Sequence, residues 1–204
     1  LEFTFADKRW LTYEEIAAGG DIERAPALGF HIPNCFDKVL DIDLCHLQRD
    51  PSNAIRTETK RFCLEHGYTF HNAREHAGLM RNMIIRTSST GEIMVIVVFN
   101  ADDRERIAAL LEHLAERFPK ITSLFYVVNT KWNDSTGDLT PVCFKGKDHI
   151  VERMEDLQFK VGPKSFYQTN SEQAYELYKV TRDFADLTGR DVLYDLYTGT
   201  GTIA

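Results

Sequence analysis

The sequence predicts a mixed α/β chain. Residues 1–155 read as an α+β unit of ferredoxin-like type, with the order β-α-β-β-α-β from about residue 38 to 129, and residues 156–204 read as the first part of a Rossmann-like sheet. Three observations carry this. The run 38–45 alternates Leu40, Ile42 and Leu44 against Val39, Asp41 and Asp43, the period of a half-buried strand. Ile107, Leu110, Leu111, Leu114 and Phe118 recur at helical spacing and form one apolar stripe. The run 191–197 is strand-like and turns directly into Gly199-Thr200-Gly201, the junction of a βα unit.

In chain order, residues 1–5 form a strand and residues 13–18 a short helix stopped by Gly19-Gly20. Strands follow at 27–32 and 38–45, the second expected to turn Leu40, Ile42 and Leu44 to the core. Asp50 and Pro51 read as N-cap and first helical residue of a helix to about His66, with Ile55, Phe62 and Cys63 inward. Residues 79–87 and 92–100 flank Ser88-Ser89-Thr90-Gly91 as a hairpin. Asp102 opens the next helix, Pro119 ends it, and 121–129 is a strand. Short strands are expected near 141–144, 147–152 and 157–161. Asn170, with Gln173 three residues on, starts a helix whose inner side is Ala174, Leu177, Tyr178, Thr181 and Phe184.

A chain of 204 residues with 43% hydrophobic content can bury a core without disulfides. Its formal charge of −7 argues against a surface that binds polyanions everywhere, while leaving room for a local basic face. No apolar run approaches the roughly 18 residues of a membrane span. Cys35, Cys45, Cys63 and Cys143 show no CxxC spacing, and no basic-then-apolar leader is present, so a reducing, cytoplasmic setting is expected. The chain opens inside a strand and stops inside a helix start, as a fragment of a longer protein would. No histidine pattern points to a metal. Arg81 and Arg86 lie five apart on one strand; some phosphate contact is open to them, but a solvated surface is the usual fate of such residues, as of Lys60, Arg61 and Arg74.

A strand that runs into a glycine-rich turn and a helix start holds nucleotide-like ligands, because glycine lets the backbone approach and the helix start offers free N–H groups. Asp195, four residues before Gly199, stands at the carboxyl end of that strand, and Asp-x-x-x-Gly-x-Gly leans toward S-adenosylmethionine (SAM). Gly199-x-Gly201-x-x-Ala204 also satisfies the looser dinucleotide pattern, and an ordinary tight turn satisfies both.

Upstream, Pro163-Lys164-Ser165-Phe166-Tyr167-Gln168-Thr169-Asn170 precedes a helix and then Val192-Leu193-Tyr194-Asp195-Leu196-Tyr197-Thr198-Gly199-Thr200-Gly201. The pair, in that order and separation, resembles the RNA uracil-5-methyltransferase family, with its Ser-Phe-x-Gln-x-Asn signature and Asp-Leu-aromatic-Cys-Gly-x-Gly loop. Residues 78–86 resemble, more weakly, a strand of the family's central domain. Thr198 departs from the family's cysteine, at a place that shapes the turn. The resemblance implies that Gln168, Asp195, Tyr197, Gly199, Gly201 and Thr202 hold SAM and that Phe166 lines the target-base pocket. Phe166 and Tyr197 as core aromatics, and Gln168 as a hydrogen bonder at the helix start, remain open. The second domain is then a class I methyltransferase domain, and the RNA partner is ribosomal rather than transfer RNA, with no obligate protein partner.

Cys45 lines up with the last of four cysteines that hold an iron–sulfur cluster in many members; four thiolates are needed, so a cluster is expected only in a full-length parent. The alternation at 38–45 puts Cys45 on the side away from the core. The family's chemistry is covalent: a cysteine adds to C6 of uracil, methyl is taken from SAM, and a glutamate removes the C5 proton to leave 5-methyluridine. The family places both groups after the glycine loop, so this chain supplies no catalytic residue and is expected to be inactive alone. Two alternatives stand beside this reading: a SAM-dependent methyltransferase of another substrate class, and a non-enzymatic RNA-binding module.

Overall fold

The computed structural model describes residues 1–202. Its main body is a seven-stranded mixed sheet in the order β3-β2-β1-β4-β5-β6-β7. Strands β1 (Glu2–Ala6), β2 (Ala27–His31) and β3 (Val39–Asp41) form an antiparallel meander. Between β1 and β2 the short helix α1 (Tyr13–Ala18) starts on a capping box, with Thr12 and Glu15 each satisfying the other's backbone N–H. Gly29 of β2 lies against β3 so closely that a Cβ there would meet the Leu40 carbonyl oxygen at 1.9 Å.

Helix α2 (Ser52–Glu65) leads to the hairpin of β4 (Met80–Thr87) and β5 (Ile93–Phe99). Helix α3 (Arg104–Arg117) then crosses over to β6 (Ser123–Val128), which pairs parallel with β5, and β7 (Val142–Gly146) closes the sheet. All seven residues of β5 are buried, because both faces of the sheet are covered. Val95, Val97 and Phe99 face α2 and α3, where Ile55, Phe62, Leu110 and Leu114 meet Phe3, Phe5 and Met83. Met94, Ile96 and Val98 face the hairpin of β8 (Ile150–Met154) and β9 (Leu157–Val161) through Ile150 and Val161. Each such aliphatic side chain contributes about 1.5–3 kcal/mol on leaving water. The buried Glu152 carboxylate fixes the hairpin to the main sheet by accepting from the Ser89 backbone N–H (3.0 Å) and hydroxyl (2.6 Å).

The mixed α/β class agrees with the sequence expectation, and so does the chain order β3-α2-β4-β5-α3-β6. The strand order is not the ferredoxin-like one. In a ferredoxin-like sheet the strand before the first helix lies inside; here β3 is at the edge, because β4 takes β1 as its partner with Phe3 opposite Met83.

β3 turns Leu40 and Ile42 to the expected side, since Leu40 pairs with Phe30, which packs on the main core. At the sheet edge, however, Leu40 and Leu44 stay exposed and Ile42 is only partly covered, while Val39 is buried on the opposite face beside Ala6 and Ala27. Arg56, fully buried on α2, donates to the carbonyls of Leu28, Ile42 and Asp43. Those bonds pull the chain out of the ladder after Asp41. Asn53 then clasps both the N–H and the carbonyl of Cys45, and Cys45 ends in the core, not on the side away from it.

Pro51 holds φ −95° and ψ 24°, outside helical values, so α2 starts one residue later than expected and without a side-chain cap. Asp103, not Asp102, caps α3 by accepting from the Arg106 N–H at 3.1 Å. Arg81 and Arg86 are not solvated: Arg81 is buried and Arg86 half-buried, each spent on backbone carbonyls. Among the described residues no helix is long and apolar enough to cross a membrane.

Candidate functional site

After Val161 the chain enters residues 162–170. Gly162 and Ser165 close a small turn, with the Ser165 N–H donating to the Gly162 carbonyl (3.1 Å) and the Gly162 N–H to Ser165 Oγ (3.0 Å). Arg86 donates to the Ser165 carbonyl at 2.7 Å, which fixes the backbone one residue before Phe166. Burial lowers the pKa of this guanidinium. Tyr167 turns inward beside Phe159 and the second face of the sheet, and burial pushes its phenol up to about 12. Phe166 and Gln168, on either side of it, point outward and are exposed.

Asn170 caps α4 (Ser171–Ala185) by accepting from the Gln173 N–H at 3.1 Å, as the sequence predicts. The expected inner side of α4 is mostly uncovered: Ala174 is buried, but Leu177 and Phe184 are exposed, because no other element among the described residues lies against that face. What orients α4 is polar. Glu155, in the β8–β9 turn, accepts from Tyr175 Oη at 2.8 Å and from Arg182 at 3.1 Å, and these partners hold its carboxyl below the usual range.

The strand expected at 191–197 does not form, since among the described residues no neighbouring strand is there to pair with it. The turn that follows does form. Asp195 accepts from the Thr198 hydroxyl at 3.0 Å, and the Gly201 N–H donates to the Thr198 carbonyl at 2.8 Å. Gly199 and Gly201 hold φ of +56° and +76°, values at which a side chain would be strained, so the two glycines are what the backbone path requires. Tyr197 is fully exposed and also in the left-handed region, at φ +64°. Thr202 donates to Tyr178 Oη of α4 at 3.4 Å. Ala204, the last position of the looser dinucleotide pattern, lies outside the described residues.

Residues far apart in sequence meet here, for the Thr200 hydroxyl donates to the Phe166 carbonyl at 3.4 Å. The loop of Phe166 and Gln168 and the loop of Asp195, Gly199 and Gly201 therefore share one surface. Sequence reasoning missed Arg86 as the anchor of the first loop and Tyr178 as the partner of Thr202; the only signal for either was a polar group on an element otherwise read for its apolar side.

The residues present do not fit a metal cluster. Cys45 is buried among apolar side chains, and among the described residues no three His, Cys, Asp or Glu side chains gather closely enough to hold a metal ion.

No family model matches the chain. Over its full length it is 56% identical to an uncharacterized RNA methyltransferase of Bacteroides thetaiotaomicron and 55% identical to one of Porphyromonas gingivalis, covering 46% and 45% of those proteins. One from Bacillus cereus is 32% identical over 91% of the chain, and 40% of that protein is covered. The chain thus spans about half the length of the curated relatives it matches. Among solved structures it is similar to the Pyrococcus abyssi tRNA (uracil-54, C5)-methyltransferase in complex with S-adenosyl-L-homocysteine, with TM-score 0.70 and 25% identity, over all of this chain and 43% of that one.

Proposed function

We propose that this chain, homologous over its full length to proteins named RNA methyltransferases, is the central domain and first part of the catalytic domain of a SAM-dependent enzyme that methylates C5 of a uridine. The observation that carries the reading is the meeting of the Phe166 loop with the Gly199–Gly201 turn through Thr200. One loop is suited to hold a base, the other a nucleoside cofactor, and methyl transfer needs the two within reach of each other.

In this reading Gln168, Asp195, Tyr197, Gly199, Gly201 and Thr202 hold SAM. The positive-φ glycines fit that task by leaving the backbone of the turn uncovered by side chains. SAM supplies an electrophilic methyl group. Phe166 offers an exposed ring against which a uracil stacks, and Arg86 holds the backbone that presents it. Asp195, by accepting from Thr198, keeps the turn in one shape.

The nucleophilic thiolate and the base that removes the C5 proton are assigned to residues outside this chain. Cys63 is unsuited to the role, since burial pushes its thiol far up. The substrate is ribosomal rather than transfer RNA, and the setting is the cytoplasm.

The test is transfer of labelled methyl from SAM to unmodified ribosomal and transfer RNA, followed by nucleoside analysis. The full-length protein is expected to produce 5-methyluridine in ribosomal RNA and the 204-residue chain to produce none. Label in a nucleoside other than 5-methyluridine, or turnover by the chain alone, overturns the reading.

A further inference from the structure

Trp132 is 74% exposed in the loop between β6 and β7, yet its surroundings are held by stacking and hydrogen bonds. One side of the indole is taken by His76, whose ring stacks on it with centroids 4.4 Å apart and planes 20° from parallel. His71 in turn meets His76 edge-on at 5.5 Å. His76 Nε2 lies 3.0 Å from the Thr130 carbonyl, and since a carbonyl only accepts, that nitrogen carries the hydrogen.

The backbone around Trp132 is held from below by Arg81. This buried guanidinium donates to the carbonyls of Asn129 (2.8 Å), Lys131 (2.6 Å) and Asn133 (3.2 Å) and to the Asp134 carboxylate (2.5 Å). Trp132 is therefore bracketed by two fixed carbonyls, those of its own sequence neighbours. A burial this costly for a charged side chain, spent on one surface loop, makes sense if the loop's shape matters.

The loop also touches the candidate site, because Lys164, two residues before Phe166, donates from Nζ to the Gly137 carbonyl at 2.8 Å. Lys131 and Lys164 lie on this stretch with Asp138 between them; Lys131 Nζ is 2.5 Å from its carboxylate. A fixed, solvent-facing indole with ammonium groups nearby, continuous with a loop suited to hold a base, has the chemistry of a single-stranded RNA contact: the ring stacks on any base and the ammonium groups meet phosphates.

We infer that Trp132 is a stacking platform for an unpaired RNA base next to the target nucleotide. The inference deepens the proposed function and rests on it. Pre-ordering by His76 and Arg81 reduces the conformational freedom lost when the base arrives.

The test is fluorescence anisotropy of a labelled, mixed-sequence single-stranded RNA with the full-length protein over a range of salt, with SAM affinity and thermal stability measured alongside. Trp132→Ala is expected to weaken RNA binding by about 5- to 150-fold, the range of a lost base–aromatic stack. Trp132→Phe is expected to restore most of it, and the melting temperature and SAM affinity are expected to stay as in the wild type. The salt slope is expected to persist in Trp132→Ala and to fall in Lys131→Gln. Unchanged RNA affinity in Trp132→Ala, in a protein that still makes 5-methyluridine, overturns the platform alone. A wild type that methylates no uridine overturns the proposed function, whatever Trp132 does. A loss in Trp132→Ala matched by a fall in melting temperature assigns Trp132 to the fold and overturns the platform too.

Discussion

The main sheet and the segment after Val161 are both rich in apolar residues and treat them in opposite ways. Met83, Val97 and Leu110 are fully buried, whereas Leu177, Phe184, Leu193 and Leu196 face water. The difference is not in hydrophobicity but in partners. Each apolar face of the sheet finds a helix pair or a hairpin within the chain, while α4 meets the rest of the molecule mainly through Glu155, Tyr175 and Arg182. The two motif loops lie in the less covered half, where their geometry depends on polar threads such as Arg86 to Ser165 and Thr200 to Phe166.

That contrast can be broken by substitution. The largest effect is expected at Arg56→Ala, which strands the carbonyls of Leu28, Ile42 and Asp43 and opens a cavity; urea denaturation should show a loss of about 4 kcal/mol. Next comes Leu110→Ala, at about 3 kcal/mol in the same measurement, because α3 has no slack around it.

A smaller, pH-dependent effect is expected at Glu58, whose carboxyl Arg61 and His113 hold down to about 2 against the opposing effect of burial. A depressed acid contributes stability above its ordinary value near 4.5 and loses it as pH falls through about 2. Glu58→Gln should therefore cost about 1 kcal/mol at pH 7, after allowance for screening near the surface, and almost nothing at pH 2. Smallest is Leu177→Ala, expected within about 0.5 kcal/mol in this chain, where the side chain is already wet. In the full-length protein the same change should cost about 2 kcal/mol or more if α4 is covered there, and equal effects in both would remove that interpretation.

Elements with local signals were legible in the sequence. The cap Asn170 and the glycines Gly19 and Gly91 mark chain reversals whose causes lie within a few residues, while the start of α3 was read one residue early, at Asp102 in place of Asp103. What the sequence could not carry was long-range. Alternation in 38–45 identified a strand and its inner side, but not that β3 would lie at the sheet edge, where Leu40 stays exposed. Nothing local says that Arg56 will be buried, since arginine defaults to the surface. The same default sent Arg81 and Arg86 to the surface. The family resemblance implied that Phe166 and Gly199 serve one site, yet the expected strand at 191–197 failed for want of a neighbour among the described residues to complete its ladder.

The pairing of Phe3 with Met83 has a consequence for the making of the protein. During translation, β1, β2 and β3 can assemble as a meander, but the strand that completes β1's other edge follows roughly 80 residues later, about 4–16 s at ordinary elongation rates. Through that interval Phe3 and Phe5 lack Met83 and β5 to cover them, and the nascent meander offers the ribosome's surroundings an open, aromatic strand edge. A chaperone that shields such edges should crosslink to residues 1–41 of stalled chains and be released once β4 has emerged.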